Sequence, residues 1–316
     1  MKFPKIYIGP MSKEVVDVVL ENDIDVGFIP SRRQIECSGG YVNKWTTKDF
    51  SEYVSGRKLI ERDHGGPNQG TFIDDGQESF VEDSNYFDII HVDVWKKFLD
   101  IHDAANETIK TIRFLHKQNS KLMFEIGTEQ SIRPYSHIEL DKFLSLVQFQ
   151  LTKEEWSKII YVVVQCGTKL SQDHNLGIFD SEKLINMLSI CKKYNKMSKE
   201  HNGDYVSNEL RCQKLSLGLD SINIAPEFGT IQTKIILDNI NEEEFEKFYN
   251  ICYSSKKWKK WVGVDFDPIV MKKELVVICG HYCFSNDYVS SLVEKNRIVI
   301  KETLTKFLTT LMKDIN

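Results

Sequence analysis

Short apolar, β-branched runs alternate with amphipathic stretches along the whole chain, and this alternation restricts the fold more than any other feature of the sequence. The runs are Lys5–Ile8, Val26–Ile29, Lys58–Glu61, Asp88–Asp93, Lys121–Glu125, Ile159–Gln165, Ile222–Ile224 and Glu274–Cys279. Ile159–Gln165 is the most continuous, as expected of a strand buried on both faces. Between the runs, Glu14–Leu20, Ala105–His116 and Ser181–Tyr194 repeat apolar residues at three- and four-residue spacing, the period of a helix. Asn241–Tyr249 reads as a charged helix. Strand–helix alternation means a parallel sheet, either open and doubly wound or closed into a barrel, and periodicity does not choose between them. The 316 residues exceed an average domain but suit a single α/β barrel. No repeat or low-complexity linker divides them, so one domain is expected.

Composition removes several functions. A net charge of -5 disfavours a nucleic-acid binder, which needs a basic face. The basic run Lys256–Lys260 reads as a solvated helix surface. No stretch has the roughly 18 apolar residues of a membrane span, and Met1–Lys5 leads straight into a strand-like segment with no apolar leader. Seven scattered cysteines without a CxxC pair fit reduced thiols in a cytoplasm. No GxGxxG or GxxxxGK[ST] follows any strand, which argues against an open-sheet nucleotide-binding protein.

Polar residues gather where the apolar runs end, and α/β enzymes place their chemistry at the carboxyl ends of strands. The ends carry Arg32-Arg33-Gln34, Asp63-His64 followed by Gly65-Gly66-Pro67-Asn68, His91 with Asp93, Glu125 with Glu129, Gln165-Cys166, and Asn223 with Glu227. Their recurrence at one topological position predicts a polar pocket on that face. Asp63-His64 can supply a metal ligand beside an acid/base, because neighbours on a bending strand end turn towards one cavity. Equally, the histidine can bond a turn carbonyl while the glycines make the turn. His91 and Asp93, two apart on one strand face, read as a hydrogen-bonded structural pair. Arg32 and Arg33 offer paired guanidinium donors for a phosphate, or form a surface pair. Cys166 reads as a core thiol, and His281-Tyr282 as a ligand candidate on an eighth strand. Lys199–Asp204 reads as a loop with an exposed histidine.

Taken together, six short motifs resemble one family. Gln34–Tyr41, Asp63–Asn68, Ile90–Asp93, Ile126–Glu129, Val163–Gln165 with Gly167, and Glu200-His201 with Asp204-Tyr205 are similar, in this order, to motifs of the tagatose-bisphosphate aldolase accessory subunits. The similarity runs from about residue 5 to residue 235, with a weaker part through Gly280–Asp287. It implies a (β/α)8 TIM barrel of the class II aldolase type, with residues from about 240 to 316 forming a helical and strand extension. It also implies a phosphorylated sugar as substrate and a divalent metal, usually zinc. By this resemblance Asp63 is the proton-transfer residue, His64 and His201 are metal ligands, and Asn223 meets the substrate. The histidine expected after the sixth strand is replaced by Gln165-Cys166-Gly167, and His174 is the nearest substitute.

Glu125 departs from the accessory branch towards the catalytic aldolases and stands as a second acid/base. The remaining substrate contacts implied are Arg32, Arg33, Gln34, Asn68, Glu129 and Gln165. The resemblance also moves the His201 region to strand seven and Ser221–Ala225 to strand eight, which makes Glu274–Asp287 an extension over the barrel. Two functions follow. One is a cytoplasmic lyase or epimerase acting through an enediolate in carbohydrate metabolism. The other is a non-catalytic partner of a separate catalytic aldolase subunit. A homo-oligomer is a further expectation.

Overall fold

The computed structural model describes residues 2–171 and 173–315. Eight parallel strands lie in the order β2-β1-β8-β7-β6-β5-β4-β3. They are β1 (Ile6–Ile8), β2 (Gly27–Phe28), β3 (Glu61–Gly65), β4 (Ile89–Val92), β5 (Met123–Ile126), β6 (Ile159–Val163), β7 (Met197–Glu200) and β8 (Ser221–Ile224). The edges β2 and β3 meet through two isolated parallel bridges, Phe28 with Ile60 and Ser31 with Asp63. Asp63 N–H donates to Pro30 O at 3.0 Å, and Phe28 N–H to Leu59 O at 2.9 Å. The sheet is therefore a closed (β/α)8 barrel, as the strand–helix alternation allows and the family motifs imply.

Helices cover the outside and are started by local chemistry. Asp100 caps Ile101–Gln118 through its carboxylate, and Ser136 forms a capping box with Glu139 at the head of His137–Gln150. Their apolar faces join one large core with the outward-facing strand residues, among them Ile90, Phe124, Val162 and Ile222. The charged stretch after Asn241 forms the helix Glu242–Ser255, capped by Asn241 and Glu244.

Two sequence expectations change here. The run Glu274–Cys279 forms part of the helix Lys272–Cys279, not a strand. Its five consecutive buried apolar residues satisfy a helix enclosed on most sides as well as they satisfy a strand, and run length alone cannot separate the two. His281 therefore lies on a short 3-10 turn in the extension, outside the barrel strands. Of the run Lys199–Asp204, read as a loop from patterning alone, Lys199 and Glu200 end the strand β7 and His201–Asp204 follow it. Lys199 faces a polar barrel interior while Glu200, on the opposite face, pairs with Lys214 of the covering helix Asn208–Ser216, so no apolar alternation marks the strand.

Inside the barrel the side chains change character with height. Tyr7, Ile29, Ile89 and Tyr161 form a separate small apolar cluster with Met123 and Met197. Two residues further along the same strands come Glu125 and Lys199, joined by Glu61. Lys199 Nζ is 3.2 Å from Glu125, contacts Glu61, and sits 3.9 Å from the ring centres of both Tyr7 and Tyr161. Above this layer the strands end in the functional residues. The described residues contain no helix long and apolar enough to cross a membrane.

Candidate metal centre

β3 delivers two consecutive side chains to one place because its register slips. Its pairing with β4 shifts between Arg62 and Gly65, and His64 takes a positive φ of 47°. In a regular strand Asp63 and His64 would point to opposite faces; the irregularity turns both towards the cavity. A left-handed histidine costs energy and persists where its surroundings impose it. Those surroundings include the buried Arg62, which pairs with Asp83 at 2.6 Å and donates to Pro30 O and Ile35 O. Gly66 follows at φ 139°, where a Cβ would come within 2.7 Å of Asp93 O, so only glycine lets β3 and β4 approach this closely.

Asp63, His64, His91 and His201 place one ligand atom each within 4.8 Å of all the others, and form a candidate metal-binding group. Two of the histidines are braced from behind. His64 Nδ1 is 2.6 Å from Asp93 Oδ2, which leaves Nε2 facing Asp63 Oδ1 at 3.6 Å and Glu129 at 3.8 Å. His201 Nε2 is 2.9 Å from Glu125 Oε1, which leaves Nδ1 at 3.2 Å from Asp63 Oδ1. A carboxylate behind each ring and a free nitrogen in front is the arrangement that orients metal-ligating imidazoles. His91 is fully buried; its Nε2 lies 3.1 Å from Gly127 O and its Nδ1 accepts the His64 N–H at 3.3 Å.

A cation fits this set. Asp63 Oδ1 is buried and makes no hydrogen bond, although it stands between two imidazole nitrogens. Three imidazole nitrogens with a carboxylate beside them suit zinc and similar divalent ions. The electrostatics agree. Burial alone would raise the Asp63 carboxyl, but His64 and His201 hold it far below the usual range. Burial alone would lower His64, yet Asp63, Asp93 and Glu129 bring it up to about 8. His201 is likewise held well above its ordinary value by Glu125 and Asp63 against the effect of burial. Burial dominates at His91 and pushes it down to about 4, so that ring is neutral and keeps a lone pair. Glu125 is kept ionised against burial by Lys199 and then His201.

The group opens into a cavity of about 500 Å3 lined by Asp63, His64, His201, Asn223, Glu129, Gln34 and Arg33, among others. The Asn223 amide is only 5% exposed and neither its Nδ2 nor its Oδ1 has a partner, so it presents an unused donor and acceptor. Gln34 is held by Ser31 N–H and Met11 while lining the same space.

Other residues implied by the motifs lie elsewhere. Arg32 is committed to Glu36, Asp74 and Gly66 O and does not line the cavity. Gln165 bonds Tyr135 N–H, Thr128 O and Arg133 O and fixes loops. Asn68 takes a left-handed turn at φ 61°, and Gln69 beside it lines the cavity instead. Glu125 lies beneath the ligands, behind His201. His174 is half exposed on the hairpin of Leu170–Ser171 and His174–Asn175, with Nδ1 3.3 Å from Asp173 and no place in the metal-binding group. The Leu176 N–H to Lys169 O bond closes that hairpin and carries the histidine outward.

Four residues take parts here that the sequence does not assign them. The pattern pairs His91 with Asp93, but Asp93 braces His64 and His91 joins the group. The i, i+2 spacing puts His91 and Asp93 on one face without saying which neighbour each meets. Asp204 lines the cavity, and burial together with Glu227 pushes its carboxyl up to about 8 despite bonds from the Ala225 and Glu227 amides. Lys260, from the run read as a solvated surface, also lines the cavity.

The sequence matches no protein-family model and no curated protein. Its fold does match solved structures. A probable tagatose 6 phosphate kinase from Sinorhizobium meliloti aligns with a TM-score of 0.77 at 13% identity, over 99% of each chain. The fructuronate-tagaturonate epimerase UxaE from Cohnella laeviribosi aligns at 0.68 and 8% identity, over 99% of this chain and 81% of that one. A fructose-bisphosphate aldolase from Campylobacter jejuni aligns at 0.57 and 11% identity, over 99% and 90%. At these identities the likeness is one of architecture: the chain folds as the same kind of barrel as these sugar-metabolising proteins.

Proposed function

We propose that the protein is a cytoplasmic enzyme acting on a phosphorylated sugar by metal-assisted chemistry beside a carbonyl, either aldol cleavage and condensation or epimerisation, through an enediolate. The observation that carries this reading is the pair of carboxylate-braced histidines, Asp93–His64 and Glu125–His201, whose free nitrogens face the unpartnered Asp63 Oδ1. His64, His91 and His201 would hold a divalent cation, zinc by the nature of the donors, and the ion would polarise a substrate carbonyl as a Lewis acid. Asp63 is the carboxylate nearest that position and serves as the proton-transfer group. Asn223 offers its amide to substrate hydroxyls or the carbonyl oxygen. Glu129, lining the same cavity near His64, is a further hydroxyl contact. Neighbours named as an aldolase and an epimerase support this range of reactions.

The test has two parts. Elemental analysis of protein purified without chelator or affinity tag should find about one divalent ion per chain, lost in His64→Ala. The metal-loaded protein, incubated in D2O with ketose phosphates such as dihydroxyacetone phosphate, should wash deuterium into the carbon beside the carbonyl, as read by NMR. Absence of both metal and exchange would sink the proposal.

A second reading is a non-catalytic subunit that stabilises a separate class II aldolase. It is favoured by the segment after β6, where Gln165 is tied into loops and His174 faces outward. Copurification with such an aldolase, without exchange activity of its own, would support it.

A further inference from the structure

Each fully buried cation of the molecule has a carboxylate partner: Arg62 with Asp83, Lys199 with Glu61 and Glu125, and Lys214 with Glu200. The nearly buried Arg211 pairs with Glu227, and Arg32 with Glu36 and Asp74. Three cations lining the cavity of the metal centre are less buried, Arg33 partly covered and Lys96 and Lys260 exposed, and differ in their partners. Arg33, after β2, Lys96, after β4, and Lys260, in the 3-10 turn Lys257–Lys260, have no carboxylate within 4.0 Å among the described residues.

Arg33 and Lys260 are held in place. Arg33 Nε donates to Gly70 O at 3.2 Å, which fixes the guanidinium by one nitrogen and leaves the other two for a ligand. Lys260 Nζ lies 4.3 Å from the Trp261 ring centre and 4.9 Å from that of Tyr282, and Trp261 Nε1–H donates to the Tyr282 hydroxyl at 3.2 Å. Both aromatics line the cavity, and Tyr41 packs edge-on against Tyr282 at 4.9 Å. An ammonium held on aromatic faces keeps its charge directed into the open space.

The field around these groups is positive. Crowding by protein, then the charges of Arg33, Lys257 and Lys96, push Lys260 down to about 7. Crowding and Arg33 also lower Lys96, while Asp93, Glu129 and Asp63 oppose them. Lys96 thus lies within reach of both the carboxylates of the metal centre and the cations, whereas the groups acting on Lys260 are cations alone.

We propose that Arg33, Lys96 and Lys260 form the seat for the dianionic phosphoryl group of an open-chain sugar phosphate, whose carbonyl end lies at the His64–His91–His201 group of the same cavity. Three cations without an ion-paired carboxylate match a dianion better than a monocarboxylate, and a planar guanidinium presents a fork to phosphate oxygens. The cavity's volume lies within the range of small-molecule sites, roughly 300–1,000 Å3. The seat differs from the strand ends in one respect: Lys260 comes from the segment that follows the barrel, so the extension completes the substrate site. The sugar assignment rests on the metal-assisted reading above; the anion seat does not.

The test uses inorganic phosphate as probe. Calorimetric titration of the full-length protein at pH 7.5 should show saturable binding. Lys260→Met and Arg33→Gln should each weaken it about 10- to 100-fold, the range for losing one charge-assisted contact. Lys259→Met, on the same turn, should leave it unchanged. Because a bound dianion favours the charged ammonium, binding near this pH should take up protons, seen as a dependence of the heat on buffer ionisation enthalpy, and Lys260→Met should remove much of that uptake. Undiminished phosphate binding in both seat variants, or tighter binding of glucuronate than of phosphate, would overturn the proposal. Phosphate binding as expected in a protein that holds no metal would remove the enolisation reading alone. Metal content and deuterium exchange that persist in Lys260→Met with unchanged KM would remove the seat alone.

Discussion

His91 does its work through what it lacks, a charge. Burial keeps it neutral while His64 and His201 are drawn towards protonation by their carboxylates. A neutral ring can ligate at once, and its Nδ1 bond to the His64 amide, at 3.3 Å, is long enough to be given up at little cost. His91→Gln is therefore expected to lower metal affinity by about 10- to 100-fold, as loss of an orienting or ligating group does. His174→Gln should leave it unchanged. Competition with a chromogenic chelator would measure both. Equal losses in the two variants would return the third position to His174. At this scale the sequence was most legible where a residue's identity is its chemistry: Asp63, His64, His201 and Asn223 all reach the cavity. It was least legible where a side chain's use depends on a neighbour distant in sequence. Arg32 and Arg33 are adjacent and identical, yet Asp74 and Glu36 pair with the first and no carboxylate among the described residues pairs with the second.

Among the elements, the strands that the sequence marks by apolar runs were legible, and β7 was legible only through its motif. Lys272–Cys279 was misread because helix and strand share the same short apolar string. The turn that follows this helix carries His281, fully enclosed, with neither ring nitrogen bonded, against Tyr41 and Tyr282. Burial, with Lys260 nearby, pushes it down to about 3. The sign follows directly. Above pH 6.5 the ring is neutral whether folded or unfolded and has no linkage effect. Below that, the unfolded chain takes a proton that the fold refuses, so stability falls as pH drops from 6.5 towards 3. The slope approaches about 1.4 kcal/mol per pH unit. His281→Phe should remove it, leaving the variant about 2 kcal/mol less acid-sensitive than the wild type between pH 7 and 5. Urea unfolding at the two pH values reads the difference. Equal losses would mean that the ring is solvated in the native state.

For the molecule as a whole, the layer of Glu61, Glu125 and Lys199 decides whether a polar top can stand on an apolar floor. Lys199 is the only ammonium in contact with both carboxylates among the described residues. Removing one partner of a buried ion pair costs about 3–5 kcal/mol, because the remaining charge is stranded. Lys199→Met should destabilise the protein by that amount, and adding Glu61→Gln should recover part of it, as measured by chemical denaturation. A loss below about 1 kcal/mol would show the layer to be hydrated, as exposed pairs are. The sequence marks Glu125 only as a second acid/base and does not show the layer, since its members are 138 residues apart at the widest and meet only when the barrel closes.

That closure is uneven. Between β2 and β3 the cylinder is joined at two points, and one of them is Asp63. A seam of isolated bridges without a continuous ladder is a place where local opening is expected. Each opening would draw the bulged end of β3 away from His201, while an ion gripped by His64 and His201 would act as a clasp across the gap. The same ion that prepares a carbonyl for reaction would then set how often the barrel wall opens, and the backbone amides of Phe28 and Asp63 would register its presence as slowed exchange with solvent.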